Sequence, residues 1–122
     1  MLQILIVDDT PIARMGTTLL VRELGYRADE ACDGIEALEK FKAASYALVL
    51  IDYQMPRMNG IECAKKMREA ETGSSKRTPI VCMSTSVDLK KLCHESGVDD
   101  YVSKDCSRQE LESIISRLCS EC

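Results

Sequence analysis

The sequence predicts a single α/β domain, a parallel sheet of five strands alternating with five helices that cover both faces. Three observations carry this. Short apolar runs alternate with longer segments of helical periodicity along the whole chain. Two of the runs, 47–51 and 79–83, are almost wholly apolar, as strands buried on both faces are. The 122 residues suffice for one core, and no linker or internal repeat divides them, so one domain over 1–122 is expected.

The elements follow in order. Gln3-Ile-Leu-Ile-Val7, halted by two acids, suits a first strand. Thr10-Pro11 opens a helix, with Thr10 as cap and Pro at the first helical position. Ile12, Met15, Leu19, Leu20 and Leu24 follow at helical spacing, and Gly25 ends the helix. Residues 26–31 form a weak second strand. Asp33-Gly-Ile-Glu36 resembles a capping box ahead of Ala37, Leu38 and Phe41. Residues 47–51 form the central strand, followed by a proline-bearing loop over 53–58. Asn59-Gly-Ile-Glu62 caps a third helix through Ile61, Ala64 and Met67, and the polar stretch 72–78 reads as an exposed loop. Residues 79–83 form a fourth strand, a short helix spans Leu89 to His94, and Tyr101-Val-Ser103 is a fifth strand. Ser107-Arg-Gln-Glu110 is a capping box, and Leu111, Ile114, Ile115 and Leu118 mark one face of the last helix.

Composition narrows the function. Apolar content of 45%, charged content of 30% and a net charge of −4 are ordinary for a globular domain and argue against a nucleic-acid surface. No apolar run approaches the ~20 residues that span a bilayer, and no export signal opens the chain, so a cytoplasmic location is expected. Seven dispersed cysteines then read as reduced thiols. Cys119-Ser-Glu-Cys122 has C-x-x-C form but no partner pair for zinc, and the lone His94 reads as a surface or capping residue.

The chemistry gathers where strands end. Asp8 and Asp9 follow the first strand, Asp52 the third, Ser84 closes the fourth, and Lys104 follows the fifth. In a parallel sheet the carboxyl ends share one edge, so these residues meet in one crevice. Three carboxylates there repel one another unless a divalent cation or an ammonium intervenes. Burial of Asp52 behind five apolar residues raises its pKa unless a cation or donors hold it.

The stretches Ile4-Leu-Ile-Val-Asp8-Asp9, Leu50-Ile-Asp52-Tyr-Gln-Met-Pro56-Arg-Met-Asn-Gly60, Pro79-Ile-Val-Cys-Met-Ser84 and Gly97-Val-Asp-Asp-Tyr101-Val-Ser-Lys104 match a family. Over essentially its whole length the chain resembles the receiver (response-regulator) domain of two-component signal transduction, in wording closest to receivers of hybrid histidine kinases. The resemblance implies a flavodoxin-like doubly wound sheet of order 2-1-3-4-5. It implies that Asp52 takes a phosphoryl group from a phosphohistidine on a histidine kinase or histidine phosphotransfer domain. Asp8, Asp9, Asp52 and the backbone carbonyl of Gln54 would hold Mg²⁺, Asp8 largely through metal-bound water. Lys104 would contact a phosphoryl oxygen, Ser84 (with Thr85 the neighbouring hydroxyl) would reach it once formed, and Tyr101 would rotate inward or simply pack. Gln54 and Ser86 would tune how fast water attacks the acyl phosphate. A downstream protein would read the face made by the fourth helix, fifth strand and fifth helix. Such a domain catalyses only its own phosphorylation and dephosphorylation, and stands alone or belongs to a hybrid kinase.

Two departures from the family stand out. Asp105 occupies the place of a proline usually joined by a cis peptide; a non-proline cis bond costs roughly 2.5–4 kcal/mol, so this chain either keeps that strain or goes trans. The interval from Ser84 to Gly97 is short, so the fourth helix is expected to be short. A degenerate receiver, switched by partner contact without phosphate, is the alternative. A phosphatase with an aspartyl-phosphate intermediate needs an acid at position 54, which is Gln, and a dinucleotide enzyme needs a glycine-rich first turn where this chain has Asp-Asp-Thr-Pro.

Overall fold

The computed structural model describes residues 2–73, 77–84, 97–104 and 106–119. Its elements run β1 (Gln3–Val7), α1 (Pro11–Glu23), β2 (Arg27–Ala31), α2 (Gly34–Ala43), β3 (Leu48–Asp52), α3 (Gly60–Ala70), β4 (Ile80–Ser84), β5 (Asp100–Ser103) and α4 (Arg108–Cys119). All strands pair in parallel in the order β2-β1-β3-β4-β5. Four helices lie among the described residues, against five expected; the short helix around 89–94 falls outside them, as do Thr85, Ser86, His94 and Asp105. No disulfide joins the described cysteines Cys32, Cys63, Cys82, Cys106 and Cys119, while Cys93 and Cys122 lie outside the described set.

Strand periodicity divides the core into two layers. Ile4, Ile6, Leu48, Leu50, Val81 and Met83 point to the side covered by α1 and α4. Leu5, Val7, Val49, Ile51, Ile80 and Cys82 point to the side covered by α2 and α3. Every residue of β3 and β4 is buried, which explains why these runs lack a polar alternation. The mostly polar β2 lies at one edge of the sheet, where one flank needs no strand partner.

The helix ends follow their local chemistry with two corrections. Gly25 adopts φ 97°, and its amide and that of Tyr26 close onto the carbonyls of Arg22 and Val21, ending α1 as a Schellman turn. Asn59 and Glu62 form the reciprocal capping box expected of α3, and Ser107 and Glu110 exchange the same pair ahead of α4. At α2 only half the box forms: Asp33 accepts from the Glu36 amide, but the Glu36 carboxylate turns to the Cys32 amide. At α1 the Thr10 hydroxyl makes no cap bond; its amide donates to Asp8 Oδ1 at 2.9 Å, so the loop serves the preceding aspartate instead.

Helix α1 does not bury its helically spaced apolar residues together. Thr18 and Val21 are its buried residues, with Leu20 and Leu24 packed beside them. Ile12, Met15 and Leu19 are 84%, 61% and 54% exposed. Helical spacing groups residues on a face but does not say which face turns inward.

Candidate metal and phosphoryl site

In this strand order the chain runs outward from β1 to β2, then returns past β1 to β3. The crevice at a doubly wound sheet's carboxyl edge opens at that reversal. Val7 is in register with Ile51, which sets Asp8 beside Asp52. Ser84 is in register with Ser103, so Lys104 leaves the sheet one residue later, its amide donating to the Ser84 carbonyl at 3.0 Å.

Carboxylate oxygens of Asp8, Asp9 and Asp52 all lie within 4.8 Å of one another. Asp8 and Asp52 are 1% and 3% exposed, while Asp9 faces solvent. Lys104 Nζ sits 2.9 Å from Asp52 Oδ2 and 3.4 Å from Asp8 Oδ2. The other Asp52 oxygen accepts from the Gln54 amide at 3.3 Å. Asp8 Oδ2 is fully buried yet accepts no hydrogen bond, so the ammonium at 3.4 Å answers its charge without satisfying it as an acceptor. Burial dominates at Asp52 and, with the Asp8 charge, holds its carboxyl above the usual range despite the Lys104 bond. Burial works the other way on Lys104, but the Asp52 bond and the charges of Asp52 and Asp8 outweigh it and raise its pKa.

The loop after β3 shapes the open side of this crevice, which is lined by Asp9, Tyr53, Gln54, Met55, Pro56 and Asn59. It doubles back through Arg57, whose φ of 70° costs a non-glycine residue about 1–2 kcal/mol. At Gly60 a Cβ would lie 2.5 Å from the Asp52 carbonyl oxygen, so only glycine lets α3 begin against the end of β3. Its amide donates to the Tyr53 carbonyl at 2.9 Å, fixing that approach.

The structure thus brings together Asp8, Asp9, Asp52 and Lys104, with Gln54 beside them and Ser84 at the adjoining strand end. Tyr101 lies one strand further out, paired with Cys82 and packed against the α2–α3 layer. Ser86 lies outside the described residues. Sequence reasoning missed Arg14: its Nη1 donates to the Asp8 carbonyl at 2.7 Å and its Nε to Glu30 Oε1 at 2.8 Å. One signal was there to find, since a cation near a helix N-terminus opposes the macrodipole and needs a reason.

A family model, the response regulator receiver domain, matches residues 4–116. The chain belongs to this family. Among related proteins, this receiver domain is 35% identical over 113 residues to the hybrid signal transduction protein dokA of Dictyostelium discoideum, covering 93% of this chain and 7% of dokA. The first curated relatives are all much longer; the chain spans 4% to 13% of the first four. The receiver domain of sensor histidine kinase PA1611 from Pseudomonas aeruginosa PAO1, with a magnesium ion in its active site cleft, superposes at a TM-score of 0.88 with 29% identity, covering 98% of both chains. The receiver domain of the Saccharomyces cerevisiae response regulator Ssk1, crystallised with the histidine phosphotransfer protein Ypd1, gives a TM-score of 0.87 at 28% identity, covering 96% of this chain and 88% of that one. No helix of the described residues is long and apolar enough to cross a membrane.

Proposed function

We propose that this receiver domain is a phospho-accepting switch of a cytoplasmic two-component phosphorelay, with Asp52 as the acceptor. One observation carries the reading: a buried carboxylate ends the central strand within 4.8 Å of two more, with an ammonium at 2.9 Å. The donor set fits Mg²⁺, a hard cation that takes oxygen ligands and keeps waters. The buried, unsatisfied Asp8 Oδ2 is an acceptor in want of such a partner, and the exposed Asp9 leaves one side open. Asp8, Asp9, Asp52 and the Gln54 carbonyl would hold the ion, which when bound neutralises charge on the transferring group.

Asp52 attacks phosphorus through a carboxylate oxygen. The phosphorus–nitrogen bond of the donor phosphohistidine breaks, its electron pair returns to the imidazole, and an acyl phosphate forms. Burial strips that oxygen of hydrating water, and the Lys104 ammonium with a bound cation would hold it ionised for the attack. Lys104 follows the new charge and pairs with a phosphoryl oxygen, and Ser84 donates to another. Tyr101 and the β5–α4 face then repack for a downstream protein. Gln54 and Ser86 set the rate of hydrolysis, and the domain acts on no substrate but itself.

The phosphodonor is a histidine kinase or histidine phosphotransfer domain. Ile12, Met15 and Leu19 lie on one exposed stripe of α1, starting three residues beyond Asp9, where an apolar helix face of such a donor would dock. Ile12→Glu should slow transfer from a phosphohistidine protein relative to labelling by acetyl phosphate; equal effects on both would remove this surface from the reading. The central test is mass spectrometry after incubation with Mg²⁺ and acetyl phosphate. Wild type should gain one phosphoryl group, and Asp52→Asn should gain none. A wild type that gains none is a degenerate receiver, a binding module working without phosphate.

A further inference from the structure

We infer that Arg14, braced by Glu30, is a positioning residue for the metal and phosphoryl site, holding the Asp8 backbone so that one carboxylate oxygen is presented to the crevice. The inference rests on the magnesium-dependent reading above and adds a residue to it.

Asp8 is restrained at every polar atom but one. Its amide donates to the Ala31 carbonyl at 3.1 Å, its carbonyl accepts from Arg14 Nη1 at 2.7 Å, and its Oδ1 accepts from the Thr10 amide at 2.9 Å. Oδ2 alone accepts no hydrogen bond; it is buried, with only the Lys104 ammonium at 3.4 Å to answer its charge. The guanidinium reaches the Asp8 carbonyl from α1 while its Nε bonds Glu30 at 2.8 Å, and Glu30 adjoins Ala31, which holds the Asp8 amide. β2 thus grips the Asp8 peptide from both sides, directly through Ala31 and indirectly through Glu30 and Arg14. A planar guanidinium spans two acceptors in fixed directions; a lysine ammonium at the same place does not. Glu30 also cancels the Arg14 charge, which would otherwise compete with a cation at the nearby carboxylates.

Geometry and charge predict opposite outcomes for Arg14→Met. Removing a cation and freeing Glu30 makes the crevice more negative, so charge alone tightens Mg²⁺ binding. Loss of positioning weakens it, by about tenfold if Arg14 acts like other groups that orient metal ligands. The experiment is calorimetric titration with Mg²⁺ of wild type, Arg14→Met and Arg14→Lys, with thermal unfolding of each recorded without metal. Weaker binding in both variants is expected, with Arg14→Lys failing to rescue. Unchanged or tighter binding in a folded Arg14→Met overturns the inference, as does a wild-type affinity in Arg14→Lys should the Met variant fail to fold. A lowered melting temperature with unchanged affinity assigns Arg14 to stability alone and overturns it too. A wild type that binds no Mg²⁺ overturns both this role and the reading beneath it, whereas a binding wild type with unaltered variants overturns only the role.

Discussion

Asp52 is 3% exposed, and at this residue the requirements of folding and of chemistry diverge. Its raised pKa means that the folded chain holds a proton there more tightly than the unfolded chain does. Folding stability from this group is therefore greatest at low pH. It declines as pH climbs from the ordinary carboxylate value of 3.8 through the raised one. Asp52→Asn should abolish that decline and stabilise the metal-free protein at neutral pH by about 1 kcal/mol, as functional-site replacements commonly do. Urea unfolding in chelator at several pH values checks it, and the gain should vanish below the unfolded carboxylate pKa. A variant less stable than wild type at pH 7 would show that the Lys104 bond outweighs burial.

Between elements, the opposite edge of the sheet is held by another arginine. Arg68 on α3 donates through Nε to the Gly97 carbonyl, through Nη1 to Glu71 and the Thr78 carbonyl, and through Nη2 to Asp99. Glu71 accepts from the Thr78 amide and Asp99 from the Ile80 amide, so one network ties the end of α3 to the starts of β4 and β5. Arg77 adds a further pair to Asp99. Arg68→Met leaves two carboxylates that are 13% and 18% exposed without their main cation. It should cost about 2 kcal/mol by denaturant unfolding. Mg²⁺ affinity should stay within twofold, because the network lies at the far end of the strands from Asp52. A large loss of affinity with little loss of stability would mean that the two edges are coupled.

At the scale of the molecule, the crevice stores repulsion that a bound cation relieves, so stability should follow Mg²⁺ concentration. At one hundred times the dissociation constant the gain is about 2.7 kcal/mol, readable as a rise in melting temperature that Asp52→Asn diminishes. A melting temperature indifferent to Mg²⁺ would remove the ion from this site. Much of this design was legible in the sequence, because strand ends are marked by abrupt polarity changes. The apolar run before Asp52, the Asp8-Asp9 stop and Lys104 after Tyr101-Val-Ser103 place the cluster once the sheet is known to be parallel. The outward turn of Ile12, Met15 and Leu19 was not legible, since periodicity defines a stripe without its orientation. Nor were the grips of Arg14 and Arg68, whose partners Glu30 and Asp99 lie 16 and 31 residues away and are chosen by packing alone.

β3 supplies side chains alternately to the two core layers, Leu48 and Leu50 to one and Val49 and Ile51 to the other, and every residue in it is buried. A thread wedged on both sides would have no room to recoil were the proposed bulky dianion added at its tip. Whatever displacement that addition demanded would pass to the surrounding turns, so news of the event would travel sideways across the rim while the spine beneath kept its place.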